Sequence, residues 1–153
     1  MEQFDYAIVA DPLVFQQNRL KAHSDHRYYP SETAWRQEND VFHRCLNGKW
    51  KFRYAANFTQ IPDGFQNPGY DCSQWDEIRV PAHIQMEGYD TPHYSNIAYP
   101  WDGREEIRPG QIPTRFNPVA NYVTWFDVPE NWRDQPVCLS LQGAESAAAV
   151  WCN

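Results

Sequence analysis

Directly after the turn signal Asn47-Gly48, Lys49, Lys51 and Arg53 alternate with Trp50, Phe52 and Tyr54. Successive side chains of a strand point to opposite faces, so this order predicts one aromatic face turned into a core and one basic face in water. The same period of two returns in Glu77-Ile78-Arg79-Val80, stopped by Pro81. It returns again in "NYVTWFDVP", where Tyr122, Thr124, Phe126 and Val128 oppose Val123, Trp125 and Asp127. Val137, Leu139 and Leu141 then alternate with Cys138, Ser140 and Gln142 before Gly143, and "AAAVWCN" begins a further strand. Strands separated by long Pro-rich loops predict an all-β sandwich. The last apolar strand needs neighbours on both edges, which predicts either a truncated domain or one that folds against something else.

Residues 1–46 carry little periodicity and mix charge, aromatics and proline, the pattern of an extended N-terminal arm that docks by its side chains. Ser31, which follows Pro30, can cap the free amides of "ETAWRQEN" and so predicts a short helix, although Asn39 and Asp40 dilute it. The remaining residues, 47–153, form the sandwich.

Composition narrows the functional classes. With 13 basic against 20 acidic groups the formal charge is −7, a field that repels phosphate backbones and anionic lipid headgroups, so neither nucleic acid nor a membrane surface is expected as a partner. No apolar run approaches the roughly 18 residues of a membrane helix, and the acidic start "MEQFDYAIVADP" is unlike a signal peptide. A cytoplasmic location is expected. Cys45, Cys72, Cys138 and Cys152 lie far apart with no CxxC pair, and read as buried free thiols.

Few residues are spaced for chemistry. His23 and His26 would share a metal only on a helix, which their segment does not predict, and no third ligand is nearby. Glu105 and Glu106 are adjacent, whereas a glycosidase needs two carboxylates flanking a bond, roughly 5 to 9 Å apart. This pair predicts a solvated loop held by Arg104 and Arg108. No nucleophile elbow or glycine-rich phosphate loop occurs. The stretch "TPHYSNIAYPWDG" at 91–103 is of another kind. Tyr94, Tyr99 and Trp101 offer flat apolar faces and Asn96 a donor with an acceptor, which suits a sugar ring; equally, the rings could plug a core beneath a long loop.

The blocks "NRLKAHSDHRYY", "LNGKWKFRY", "WDEIRVPAHIQMEGYDTPHYSNIAYPWDG", "FNPVANYVTWFDVPENW" and "GAESAAAVWCN", in this order, resemble the amino-terminal region of glycoside hydrolase family 2 β-galactosidases. The resemblance runs from about residue 11 to the last residue. It implies a jelly-roll β-sandwich, the sugar-binding domain, that precedes further domains of an enzyme hydrolysing terminal non-reducing β-D-galactose residues in β-D-galactosides. The family's two catalytic glutamates lie on a barrel beyond this chain, so no catalytic residue is expected here. The Y-x-N-x-x-Y-P motif falls on Tyr94, Asn96, Tyr99 and Pro100: Asn96 is implied as a galactoside ligand, and Tyr94, Tyr99 and Pro100 as loop support. An uncharged amide can accept from one hydroxyl and donate to another without burying charge.

For the full enzyme the resemblance implies magnesium and sodium, with no cofactor held within this chain. It also implies partners in the remaining domains of the β-galactosidase, homo-oligomer contacts made by the arm, and galactosides. Where the family carries larger residues this chain has Ala148 and Ala149, each a difference worth roughly 2 to 5 kcal/mol in a close-packed core. Two rival roles stay open: a stand-alone carbohydrate-binding module, and a fragment that complements a β-galactosidase lacking its amino terminus.

Overall fold

The computed structural model describes residues 4–24, 26–91, 96, 101–108 and 110–153. Its regular structure is an open antiparallel three-stranded sheet, β1 Gly48–Ala55, β2 Asp76–Val80 and β3 Val119–Val123, in the order β2-β1-β3. Among the described residues, helical structure is confined to α1, Glu32–Arg36, and to short 3-10 turns.

β1 lies at the centre because its alternating rings give both neighbours something to cover. Trp50 pairs with Ile78 and Phe52 with Asp76 on one side, and Phe52 pairs with Tyr122 on the other. Phe52 is fully buried, with the Tyr89 ring at 4.5 Å and the Tyr122 ring at 5.0 Å, both inclined to it by about 60°, and Ile78 is buried beside it. Offset and edge-on packing of this kind adds to the gain from area alone. Trp50 meets Tyr122 edge-on at 6.4 Å and donates its indole N–H to Leu46 O at 2.8 Å.

The opposite face is only partly wet. Lys49 and Arg53 are exposed, as the alternation predicts, and Glu77 lies 3.5 Å from the Lys49 ammonium and 3.7 Å from that of Lys51. Ala55 and Asn121 on this face are buried, and Asn121 satisfies its amide by donating to Arg53 O at 3.0 Å. A second aromatic cluster joins distant stretches. Trp75 packs on Phe65 and Tyr70, Phe65 meets Trp151 edge-on at 5.7 Å, and Trp151 in turn meets Phe4.

The segment before β1 docks through single side chains. The Tyr6 ring stacks on Phe58 at 3.9 Å, and its hydroxyl accepts from Asn117 Nδ2 at 3.0 Å. Trp132 donates to Val41 O at 2.8 Å and Arg44 to Asp127 O at 2.6 Å. Between these anchors Leu13, Phe15, Leu20 and Tyr28 stay exposed. The predicted helix forms where Ser31 Oγ accepts from Ala34 N at 3.1 Å, and it stops at Gln37, before Glu38 turns to a left-handed φ of 54°.

Several expectations are corrected. β3 covers 119–123 rather than 121–128, and Trp125 beyond it is 68% exposed. Residues 137–142 and 147–153 keep their alternating pattern but belong to no strand among the described residues, and Val137, Leu139 and Leu141 are about half exposed. Alternation equips a segment to be a strand, yet a strand exists only where a second backbone takes its hydrogen bonds. Ala148 and Ala149 are exposed, so they leave no cavity here. All four cysteines are free, but only Cys72 is buried.

Emptying the centre of the sheet is the sharpest test of this core. Phe52→Ala should cost about 3–5 kcal/mol in urea unfolding, whereas Trp125→Ala should stay within about 0.5 kcal/mol of the parent.

Candidate functional site: the segment between Tyr89 and Glu105

Asn96 lies in a bend and is exposed. Tyr94, Tyr99 and Pro100, the loop-support residues, lie outside the described residues. What the structure defines is how the chain enters and leaves this segment.

The entry is built on the core. The 3-10 turn Ile84–Glu87 ends at Gly88, whose φ of 93° lets Tyr89 N return to Ile84 O at 3.0 Å; a side chain is strained at that φ. Tyr89 then lays its ring between Phe52 and Tyr54, and its hydroxyl donates to Asp76 Oδ2 at 2.9 Å. Burial, with the neighbouring Asp76 carboxylate, pushes the Tyr89 phenol above its ordinary value. Asp90 follows with a left-handed φ of 58°.

The exit is a clasp between two turns. Residues 101–104 form a turn closed by Arg104 N donating to Trp101 O at 2.9 Å. The Trp101 indole donates to Phe116 O at 3.2 Å, and the Arg104 guanidinium lies 4.3 Å above the Phe116 ring. Arg115 returns a bond to Arg104 O at 3.0 Å. Glu105 accepts from the backbone amides of Thr114 and Arg115. The far turn is tied to the sheet by Asn117 N, which donates to Ala56 O at 3.0 Å.

Both roots act on Tyr54 electrostatically: burial raises its phenol, the Asp90 charge raises it further, and the Arg104 charge lowers it. Asn96 thus lies between an entry packed on β1 through Tyr89 and an exit clasp tied just past the end of β1, at Ala56.

Of the other sequence candidates, Glu105 is held by backbone amides rather than by Arg104 and Arg108, while Glu106 is exposed. His23 Nδ1 lies 2.6 Å from Lys21 O. Among the described residues no three of His, Cys, Asp or Glu come together as a metal site, and no helix is long and apolar enough to cross a membrane. A shallow concavity of about 610 Å³ opens beside the clasp, bordered by Asp102, Glu106 and Arg108. Sequence reasoning missed Thr114 and Arg115, whose backbone amides carry no signature in residue type.

With this geometry in place, the comparisons assign a class. Residues 43–153 match the family described as glycosyl hydrolases family 2, sugar binding domain, and the chain belongs to that family. Over 144 residues it is 48% identical to a β-galactosidase of Halalkalibacterium halodurans, covering 94% of this chain and 14% of that protein. A β-galactosidase of Lactobacillus delbrueckii subsp. bulgaricus is 38% identical over 153 residues, all of this chain and 15% of that protein. A β-galactosidase large subunit of Latilactobacillus sakei is 36% identical, over 93% of this chain and 25% of that protein. The chain thus spans between 14% and 25% of the length of these relatives.

The raised phenol of Tyr89 carries a prediction. Because the fold favours the neutral form, its contribution is full below the unfolded value of 10.0 and is lost as pH rises through the folded value. Urea midpoints measured from pH 8 to 11 should fall for the parent chain and fall less for Tyr89→Phe.

Proposed function

We propose that this chain is the amino-terminal sugar-binding segment of a β-galactosidase acting on terminal non-reducing β-D-galactose residues in β-D-galactosides. Its own part is to supply a substrate-contacting segment and contacts to other parts of the enzyme, the catalytic glutamates lying on another domain. The observation that carries this reading is the family match together with an exposed Asn96 held between two pinned roots. Asn96 is the sugar contact: its amide can bridge two hydroxyls without a buried charge. Tyr94, Tyr99 and Pro100 keep the segment's shape. Magnesium and sodium belong to the complete enzyme, and no step is derived through either ion. The domain is a jelly roll, in which 137–142 and 147–152 become strands when further polypeptide pairs with them.

Titrating the chain with methyl β-D-galactopyranoside in a calorimeter tests the sugar contact. Binding in the millimolar range should weaken roughly tenfold or more in Asn96→Ala, the loss of hydrogen bonds to a polar ligand. Equal heats from both proteins would overturn the assignment of Asn96.

A second reading is favoured by the exposed apolar residues Leu13, Phe15 and Leu20, and by the half-exposed row at 137, 139 and 141. On this reading the chain acts by binding a β-galactosidase that lacks this segment. Mixing the two should restore hydrolysis of a galactoside, and removal of residues 1–46 should abolish the rescue. Full rescue without those residues would exclude a role for the arm.

A further inference from the structure

Glu105 uses both carboxylate oxygens on a stretch nine and ten residues further along. Thr114 N donates to Oε1 at 3.0 Å and Oε2 at 3.1 Å, Arg115 N donates to Oε2 at 2.9 Å, and Thr114 Oγ1 donates to Oε1 at 3.1 Å. Two backbone amides and a hydroxyl converging on one ionised group make the charge-assisted kind of bond, stronger than bonds between neutral partners. They hold the Glu105 carboxyl below its ordinary range, the Thr114 amide most of all. An amide side chain in its place would present one acceptor and one donor to a cradle that only donates. Glu106, the adjacent carboxylate, is exposed and takes no part in these bonds.

The clasp governs more than its own turn. Asn96 precedes Trp101 by five residues, a chain that reaches at most about 18 Å. Wherever the 101–105 turn is held, Asn96 is held within that radius, while Tyr89 restricts it from the other root. Trp101 and Arg104 contribute contacts to the same junction, but Glu105 alone gathers both amides of 114–115.

We infer that Glu105 is a positioning residue for Asn96: its carboxylate, acting through the backbone of Thr114 and Arg115, holds the 101–105 turn to which Asn96 is tethered and thereby restricts the place of the Asn96 amide. The functional meaning of that placement rests on the reading of Asn96 as the galactoside contact. The placement itself can be measured without sugar.

The test compares the amide resonances of the parent chain with those of Glu105→Gln and Glu106→Gln, first without ligand and then with methyl β-D-galactopyranoside. In Glu105→Gln, hydrogen exchange at Thr114 and Arg115 should quicken roughly tenfold. The backbone and side-chain signals of Asn96 should also shift, and galactoside affinity should fall by a similar factor. Glu106→Gln should change none of these. Faster exchange at 114–115 with unmoved Asn96 signals overturns the inference, since Glu105 would then serve only its own turn. Asn96 signals that shift in Glu105→Gln, together with a parent chain that does not respond to the galactoside, uphold the placement and overturn the sugar reading instead.

If Glu105→Gln also loses the signals of the sheet, acid titration of the parent chain decides. The clasp should be intact above the ordinary glutamate value of 4.5, and the Asn96 and Thr114 signals should move together as pH falls through the lowered folded value. Movement of Thr114 alone overturns the inference.

Discussion

The burial of Phe52 between Tyr89 and Tyr122 is the contact on which the rest of this structure turns. Among the described residues β1 is the strand paired on both sides, and Phe52, with its neighbour Lys51, belongs to both ladders. Tyr122 brings β3 to the ring from one direction. Tyr89 brings the end of the 84–88 turn from the other, and so the same ring that fills the core seats the entrance to the segment carrying Asn96. Burying such a side chain contributes about 1.5–3 kcal/mol, a large share of the margin by which a domain is stable. Core and site are therefore coupled at one residue.

The two roots of that segment are nevertheless secured by different physics. At the entry, packing dominates and the Asp76 carboxylate adds a bond from a phenol pushed upward by burial. At the exit, rings are few and hydrogen bonds carry the junction, with Glu105 as a charged acceptor and Arg104 resting on Phe116. Alkali acts on the first root through the phenol and acid on the second through the carboxylate. Between those limits both are intact, which leaves a broad neutral range in which the segment is held at both ends.

Legibility in the sequence followed the range of the interaction. The rings of β1, the Ile78 position of β2 and the Ser31 cap were readable because each depends on neighbours two to four residues away. Asn96 stands out only as an amide among flat rings, and its role as a sugar contact comes from the resemblance, since no period marks it. Glu105 reads in the sequence as part of a solvated loop held by Arg104 and Arg108, whereas its donors in the structure are backbone amides nine and ten residues downstream, invisible in residue type. The cysteines are free as expected, but burial holds for Cys72 alone, while Cys45, Cys138 and Cys152 occupy exposed segments outside the sheet.

The stretch from 137 to 153 separates pattern from structure most clearly. Its apolar row at Val137, Leu139 and Leu141 has the right period for a sheet, yet each of these residues remains about half exposed. The stretch is tethered by Trp151 against Phe65 and Phe4, and by Asn153 Nδ2 donating to Gln66 O at 3.1 Å. A backbone left in water loses nothing by staying unpaired, and it gains nothing that would offset the entropy of ordering it. A second strand laid beside it would change both terms at once, pairing the backbone and removing half-exposed side chains from water at about 25 cal/mol per Å². On the proposed jelly-roll reading a partner backbone would complete this end of the chain, whereas β1 already has both of its neighbours.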